Sequence, residues 1–282
     1  FVVDNSGSMA AEQSQMANHV KDMVSIIRNL DWQVAITTTD PSPDKYYGDG
    51  QLVPFKGMAS TQVLKKGDLL NEQEASAVIA NTLQRSESGS GAEQGIKATY
   101  RAIQRAIQDR KSANASLFRS DADIAVVLIS DENESLSEAT NKPQTLVDLV
   151  KLEWPSKKMN FHSIIVRPND TVCFGKQSPT GGVYGTAYDA LSKLLRAGQP
   201  GGSIIGDICA DDYTAQLQNI GYNQDVTSRS LQLDCSPLSM SPISIMKDGV
   251  PYTEAYSLTN DTLTFQNYLP SGIYKVSYQC RL

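Results

Sequence analysis

Residues 124–129, Ile-Ala-Val-Val-Leu-Ile, form an uninterrupted apolar run that ends in Ser130-Asp131. A strand without alternation has no face for water, so it must be covered by helices on both sides, as in the middle of a parallel sheet. Residues 161–166 read the same way, and Phe1-Val2-Val3 reads as the end of a third buried strand. Between such runs, apolar residues recur at helical spacing. Met16, Val20, Met23, Val24 and Ile27 mark a helix over residues 9–30. Further helices are marked by Ala75, Val78, Ile79 and Leu83; by Ile96, Ile103 and Ile107; by Leu146, Leu149 and Val150; by Tyr188, Leu191, Leu194 and Leu195; and by Tyr213, Leu217 and Ile220. Strand and helix therefore alternate, and the expected class is α/β: a doubly wound, mostly parallel sheet flanked by helices.

The remaining segments fill in the edges. Residues 31–39 are rich in β-branched side chains and read as one strand, residues 51–55 and 61–65 as a hairpin pair around Lys56-Gly57, and Ser203-Ile204-Ile205 as a last short strand. The character changes near Asp225. Beyond it, turn signals punctuate short alternating segments at 244–246, 262–265 and 273–278, so the chain divides into an α/β domain over 1–224 and a small all-β module over 225–282.

Four cysteines, Cys173, Cys209, Cys235 and Cys280, are widely spaced with no Cys-x-x-Cys pair. This favours two disulfides in an oxidising compartment over a zinc site. Pairing by region joins Cys173 to Cys209 and Cys235 to Cys280; four cysteines also allow two other connectivities or four free thiols. The second of these bridges would staple a module of marginal size. A net charge of −6 without a Lys/Arg cluster speaks against nucleic acid as a partner, and no apolar run approaches the ~20 residues that span a bilayer. Because Phe1 already lies inside a strand, an export signal or lipid anchor is expected to precede it.

The chemistry concentrates where strands end. Phe1-Val2-Val3 runs into Asp4-Asn5-Ser6-Gly7-Ser8-Met9 and then into a helix. Asp4 offers a carboxylate, Ser6 and Ser8 offer hydroxyls at alternate positions, and Gly7 permits the tight turn that aims them together. Asp131 stands at the end of the central strand, and the Gly/Ser loop 86–93 leads into another helix. In a doubly wound sheet these loops open on one rim, where ligands collect. Oxygen-only donors suit Mg, with Ca or Mn as alternatives, over Zn or Cu. The plainer reading of Asp-x-Ser-x-Ser is a helix N-cap. Asp40, Asp44 and Asp49 read as turn formers or as a second calcium site. A hydrolase is disfavoured, since only His19 and His162 exist and neither falls beside the rim.

The Asp-x-Ser-x-Ser string at Asp4, Ser6 and Ser8, with Asp131 in its Leu-Ile-Ser-Asp context, resembles the metal-ion-dependent adhesion site of von Willebrand factor type A domains. The likeness covers roughly residues 1–222, and the Gly-Ser-Gly-Ala-Glu-Gln loop and the cysteine usage are similar to bacterial surface or periplasmic members. It implies a non-enzymatic, exported domain, on the cell surface, in the periplasm or secreted, whose bound cation accepts a carboxylate from a protein or surface partner. The second loop departs from the family's usual threonine. Ser90 supplies a hydroxyl there or Glu93 a carboxylate, and Glu93 is preferred because it sits at the helix start. Asn5 is expected on the ligand-binding rim, with Tyr46 and Tyr47 nearby as partner contacts. A third carboxylate would over-neutralise the ion and weaken its pull on an incoming acid, so the alternative is a structural module of a cell-envelope assembly in which the metal only orders the loops.

Overall fold

A computed structural model describes residues 1–282 except 44–46, 59, 87–88, 136, 197–200, 239–241, 271 and 282. In chain order the first strands are β1 (Val2–Val3), β2 (Gln33–Val34), β3 (Thr37–Thr38), β4 (Leu64–Lys65), β5 (Ile124–Ser130), β6 (Met159–Ile165) and β7 (Ile205–Asp207). The helices are α1 (Ala10–Ile27), α2 (Glu72–Leu83), α3 (Gly95–Gln108), α4 (Ala113–Leu117), α5 (Pro143–Glu153), α6 (Thr171–Gln177), α7 (Thr186–Arg196) and α8 (Thr214–Ser228). Five strands, in the order β3-β1-β5-β6-β7, build an all-parallel sheet. This is the expected α/β architecture.

The apolar run of β5 feeds two cores at once. Val127 and Ile129 join Val3, Val20, Ile79 and Leu217 on one face; Val126 and Leu128 join Val2, Ile96, Phe161 and Leu191 on the other. Helix α1 packs between α2 and α8 on the first face, and α3, α5 and α7 cover the second. The chain leaves β1 through α1 toward β3, but leaves β5 through α5 toward β6. Connections from two adjacent strands thus diverge to opposite faces, which opens a crevice at their carboxyl ends.

Several local expectations are corrected. The segment 31–39 is two strands: Gln33–Val34 pairs antiparallel with Leu64–Lys65, while Thr37–Thr38 joins the main sheet. Residues 51–55 form no hairpin strand. Pro54 has no N–H to give a ladder, Leu52, Val53 and Phe55 are all buried, and the Val53 N–H goes to the Ile36 carbonyl. The last strand of the sheet is Ile205–Asp207, because the Ser203 hydroxyl is used to accept the Phe161 N–H. The first helix is shorter than 9–30, with a 3-10 turn at Gly7–Met9 ahead of Ala10.

Helix α8 runs past residue 225 to Ser228, after which the chain turns into β8 (Ser230–Gln232), β9 (Ser244–Lys247), β10 (Val250–Pro251), β11 (Tyr256–Thr259), β12 (Thr262–Phe265) and β13 (Tyr274–Ser277). These make two three-stranded antiparallel sheets, β10-β9-β13 and β11-β12-β8, around Leu233, Ile245, Leu263 and Phe265. Both disulfides join the cysteines by region, Cys173 to Cys209 and Cys235 to Cys280. Among the described residues, no helix is long and apolar enough to cross a membrane.

Candidate metal centre

Asp4 and Asp131 stand at the carboxyl ends of adjacent strands and are fully buried. The Asp4 N–H continues the ladder to the Ile129 carbonyl at 3.0 Å, which fixes where its side chain emerges. Its Oδ1 accepts the Ser6 N–H at 2.9 Å and its Oδ2 accepts the Ser130 hydroxyl at 2.6 Å. The Ser6 and Ser8 hydroxyls lie 2.9 Å apart, and Ser8 Oγ donates to Asp131 Oδ1 at 3.3 Å. Gln13, one turn into α1, donates to the Asp4 carbonyl at 2.7 Å and accepts the Arg85 N–H at 2.8 Å. Neither the 3-10 turn nor α1 receives a side-chain cap. The serines therefore face each other and Asp131, and do not serve as helix caps.

The second loop brings Glu93 into this group. Its carboxyl is buried and feels the charge of Asp4, and Thr39, just past β3, donates its hydroxyl to Glu93 Oε2. Ser90 is turned elsewhere: its Oγ accepts the Ala92 N–H at 3.0 Å, and its own N–H goes to Asp40 Oδ2 at 3.0 Å. Ser88 lies outside the described residues. Asn5 is the residue expected on the ligand-binding rim. It is fully buried, and the backbone at Gly89 closes over its amide, so closely that a Cβ there would sit 2.4 Å from Asn5 Oδ1.

Asp40 and Asp49 do not converge on a second site. Asp40 takes the Ser42 and Ser90 N–H groups, whereas Asp49 is held by Arg101 at 2.8 Å and Arg105 at 2.7 Å; Asp44 and Tyr46 lie outside the described residues. Tyr47 is partly exposed, at φ 56°. Asp49 also has positive φ, 53°. Asn tolerates that conformation, so Asp49→Asn isolates the ion pairs; it is expected to lower stability by about 1 kcal/mol in urea denaturation.

Electrostatically the cluster is strained. Burial, and then the charge of Asp4, pushes the Glu93 carboxyl up to about 9 and that of Asp131 up to about 7. Burial raises Asp4 as well, against the hydrogen bonds from Ser130 and Ser6, and raises Glu132 next to it. Among the described residues no ion pair with Lys or Arg reaches Asp4, Glu93 or Asp131. Glu93 Oε1 and Asp131 Oδ2 are buried with no hydrogen-bond partner. Three buried carboxyl groups and two hydroxyls offer only oxygen, the donor type that a hard divalent cation takes, with two atoms unsatisfied, but the three carboxylates are not a group whose oxygens all lie within 4.8 Å of one another.

One group of His, Cys, Asp or Glu does bring its ligand atoms that close among the described residues. Cys173, Asp207 and Cys209 lie close together, but the two sulfurs are joined to each other and Asp207 is taken by Arg167 and the Cys209 N–H. His162 is buried in β6, where desolvation lowers it to about 3, and its Nδ1 accepts the Ile204 N–H. His19 lies on α1 beside Asp22, Asp212 and Thr214. Sequence reading missed Ser130, Thr39 and Gln13. The first two each lie at the carboxyl end of a sheet strand, a position that marks them as rim residues once the strand is recognised. Compared with known proteins, the chain matches no family model and no curated protein.

Proposed function

We propose that this chain is an exported, non-enzymatic binding domain that holds a divalent cation between β1 and β5 and uses it to take up an acidic group of a protein or surface partner. The observation that carries the reading is the pair of unpartnered buried oxygens, Glu93 Oε1 and Asp131 Oδ2, in a crevice that also holds Asp4, Ser6 and Ser8. Asp4, Ser6, Ser8, Asp131 and Glu93 would hold the ion, with Ser90 tuning its loop; Mg fits best, with Ca or Mn as alternatives. When bound, the ion supplies a Lewis-acidic position for a carboxylate oxygen. Ser130, Thr39 and Gln13 orient the acids that hold it. Two disulfides support an oxidising compartment. The likeness to metal-dependent adhesion sites supports adhesion at a surface, by analogy of site and fold.

Glu93 favours a second reading. Its carboxyl against Asp4 adds a third acid to the cluster, which lowers the ion's attraction for another anion; the metal then orders three loops of a larger envelope assembly. Calorimetric titration of metal-stripped protein with Mg, Mn and Ca is expected to show one site, lost in Asp4→Asn. An array of Asp- and Glu-centred peptides, probed in Mg and in EDTA, separates the readings. Metal-dependent peptide capture supports the adhesive one, and a metal-dependent melting temperature without capture supports the structural one. No cation binding at all removes both.

A further inference from the structure

Helix α3 begins two residues after Glu93, and its own sequence does not cap it: the Gln94 side chain makes no cap hydrogen bond. Its orphan N–H groups are satisfied from elsewhere. The Ile96 N–H donates to Glu134 Oε2 at 2.9 Å and the Lys97 N–H to Glu134 Oε1 at 3.0 Å, while the Gly95 N–H donates to the Tyr188 phenol oxygen at 3.1 Å. Buried Asn141 donates to Glu134 Oε1 at 2.6 Å and so fixes that carboxylate. One residue on, the Ser135 N–H donates to the Glu93 carbonyl at 2.8 Å.

Glu134 belongs to the loop after β5, three residues past Asp131. The cap of α3 therefore comes from the loop that carries one acid of the centre, and it grips the helix that carries another. A carboxylate with both oxygens on one helix N-terminus, held by a second side chain, is a rigid strut, favoured by the helix dipole. Together with the Ser135 closure it makes Glu93 and Asp131 a single body, although they are far apart in sequence.

We infer that Glu134 is a positioning residue for the cation centre: by fixing Glu93 relative to Asp131 it sets the size of ion the crevice accepts. The inference rests on the cation-binding reading above. A small ion such as Mg demands near-ideal octahedral geometry, and Mn is close to it in size, whereas Ca tolerates longer and more variable distances. Loosening the strut therefore penalises the small ion more than the large one.

The test uses the full chain stripped of metal, titrated with Mn followed by electron paramagnetic resonance and with Ca followed by calorimetry. The variants are Glu134→Ala, Glu134→Gln and, as a control, Asn71→Ala. Asn71 caps α2 through the Glu74 N–H at 2.9 Å, remote from the centre, so its loss destabilises a helix end without touching the strut. Glu134→Ala is expected to weaken Mn binding about tenfold or more, as removal of outer supports of metal ligands does, with a smaller loss for Ca. Glu134→Gln keeps one amide oxygen as acceptor and falls between it and wild type, and Asn71→Ala leaves the Mn-to-Ca preference unchanged. An unchanged preference in Glu134→Ala, or in Glu134→Gln if the alanine variant does not fold, overturns the positioning role while wild type still binds Mn. Wild type that binds no Mn overturns the cation reading and this inference with it.

Discussion

Stripped of metal, the protein is expected to lose stability steadily between about pH 4 and about pH 9, and saturating Mg is expected to reverse the trend. The sign follows from the direction of the shifts. Glu93 is raised from 4.5 to about 9 and Asp131 from 3.8 to about 7, by burial first and by the charge of Asp4 second. In that window the folded chain binds protons that the unfolded chain has released, so stability falls as pH rises; the contribution is whole below the ordinary carboxylate range and gone above the raised values. One unit corresponds to about 1.4 kcal/mol, and because both groups feel the same neighbour the two contributions do not add, leaving several kcal/mol. In the proposed function a cation takes the place of those protons. At a thousandfold excess over its dissociation constant it stabilises by about 4 kcal/mol, most strongly at high pH, where the acids are ionised. Melting temperatures by circular dichroism across this range, with and without Mg, measure both effects. Glu93→Gln is expected to flatten the metal-free profile and to remove most of the Mg response. Metal-free stability that climbs from neutral to alkaline pH would contradict the buried acid cluster.

The origin of that cluster shows how far sequence carries. The run 124–129 demanded cover on both faces, and the observed sheet gives it two cores; Asp4 and Asp131 could be placed on one rim because each follows an apolar strand. Glu93 was legible as the first acid before a helix. What periodicity cannot carry is which loop atoms meet. Ser90 and Glu93 are three residues apart and both suited to a metal, and what distinguishes them is that the Ser90 hydroxyl accepts the Ala92 N–H whereas Glu93 feels the charge of Asp4. Asn5 lies inside the motif, yet the burial beneath Gly89 comes from a loop more than eighty residues away. Two-residue strands such as Leu64–Lys65 and short helices such as Ala113–Leu117 hold too few residues to show a period. Glu134 reads as one more loop acid until α3 is seen to lack a cap of its own.

Replacing Cys235 and Cys280 together by serine is expected to unfold the C-terminal sheets while the α/β unit stays folded. Four residues, Leu233, Ile245, Leu263 and Phe265, are the fully buried core of that module, aided by edge-to-face contacts of Tyr252 with Phe265 and Tyr274. So small a core leaves little margin against chain entropy. The bridge spans a sequence separation of 45, and releasing such a loop costs about 4 kcal/mol in the chain-entropy account. Among the described residues the module is tied to the rest of the molecule by Tyr268, which donates to Asp225, by the Leu269 N–H, which donates to the Ser228 carbonyl, and by Lys158 Nζ, which donates to the Ser230 carbonyl. The Cys173–Cys209 bridge differs, since Arg167 already ties the same two loops by pairing with Asp170 and Asp207, so its removal is expected to cost less. Calorimetry of the Cys235→Ser/Cys280→Ser protein should retain one transition, still raised by Mg, and limited proteolysis should trim the chain back to the end of α8. Loss of the Mg response together with the sheets would mean that the module supports the β1–β5 crevice. The hydrogen bonds around Asp4, Glu93 and Asp131 argue against that, because every one of them is made within the α/β unit.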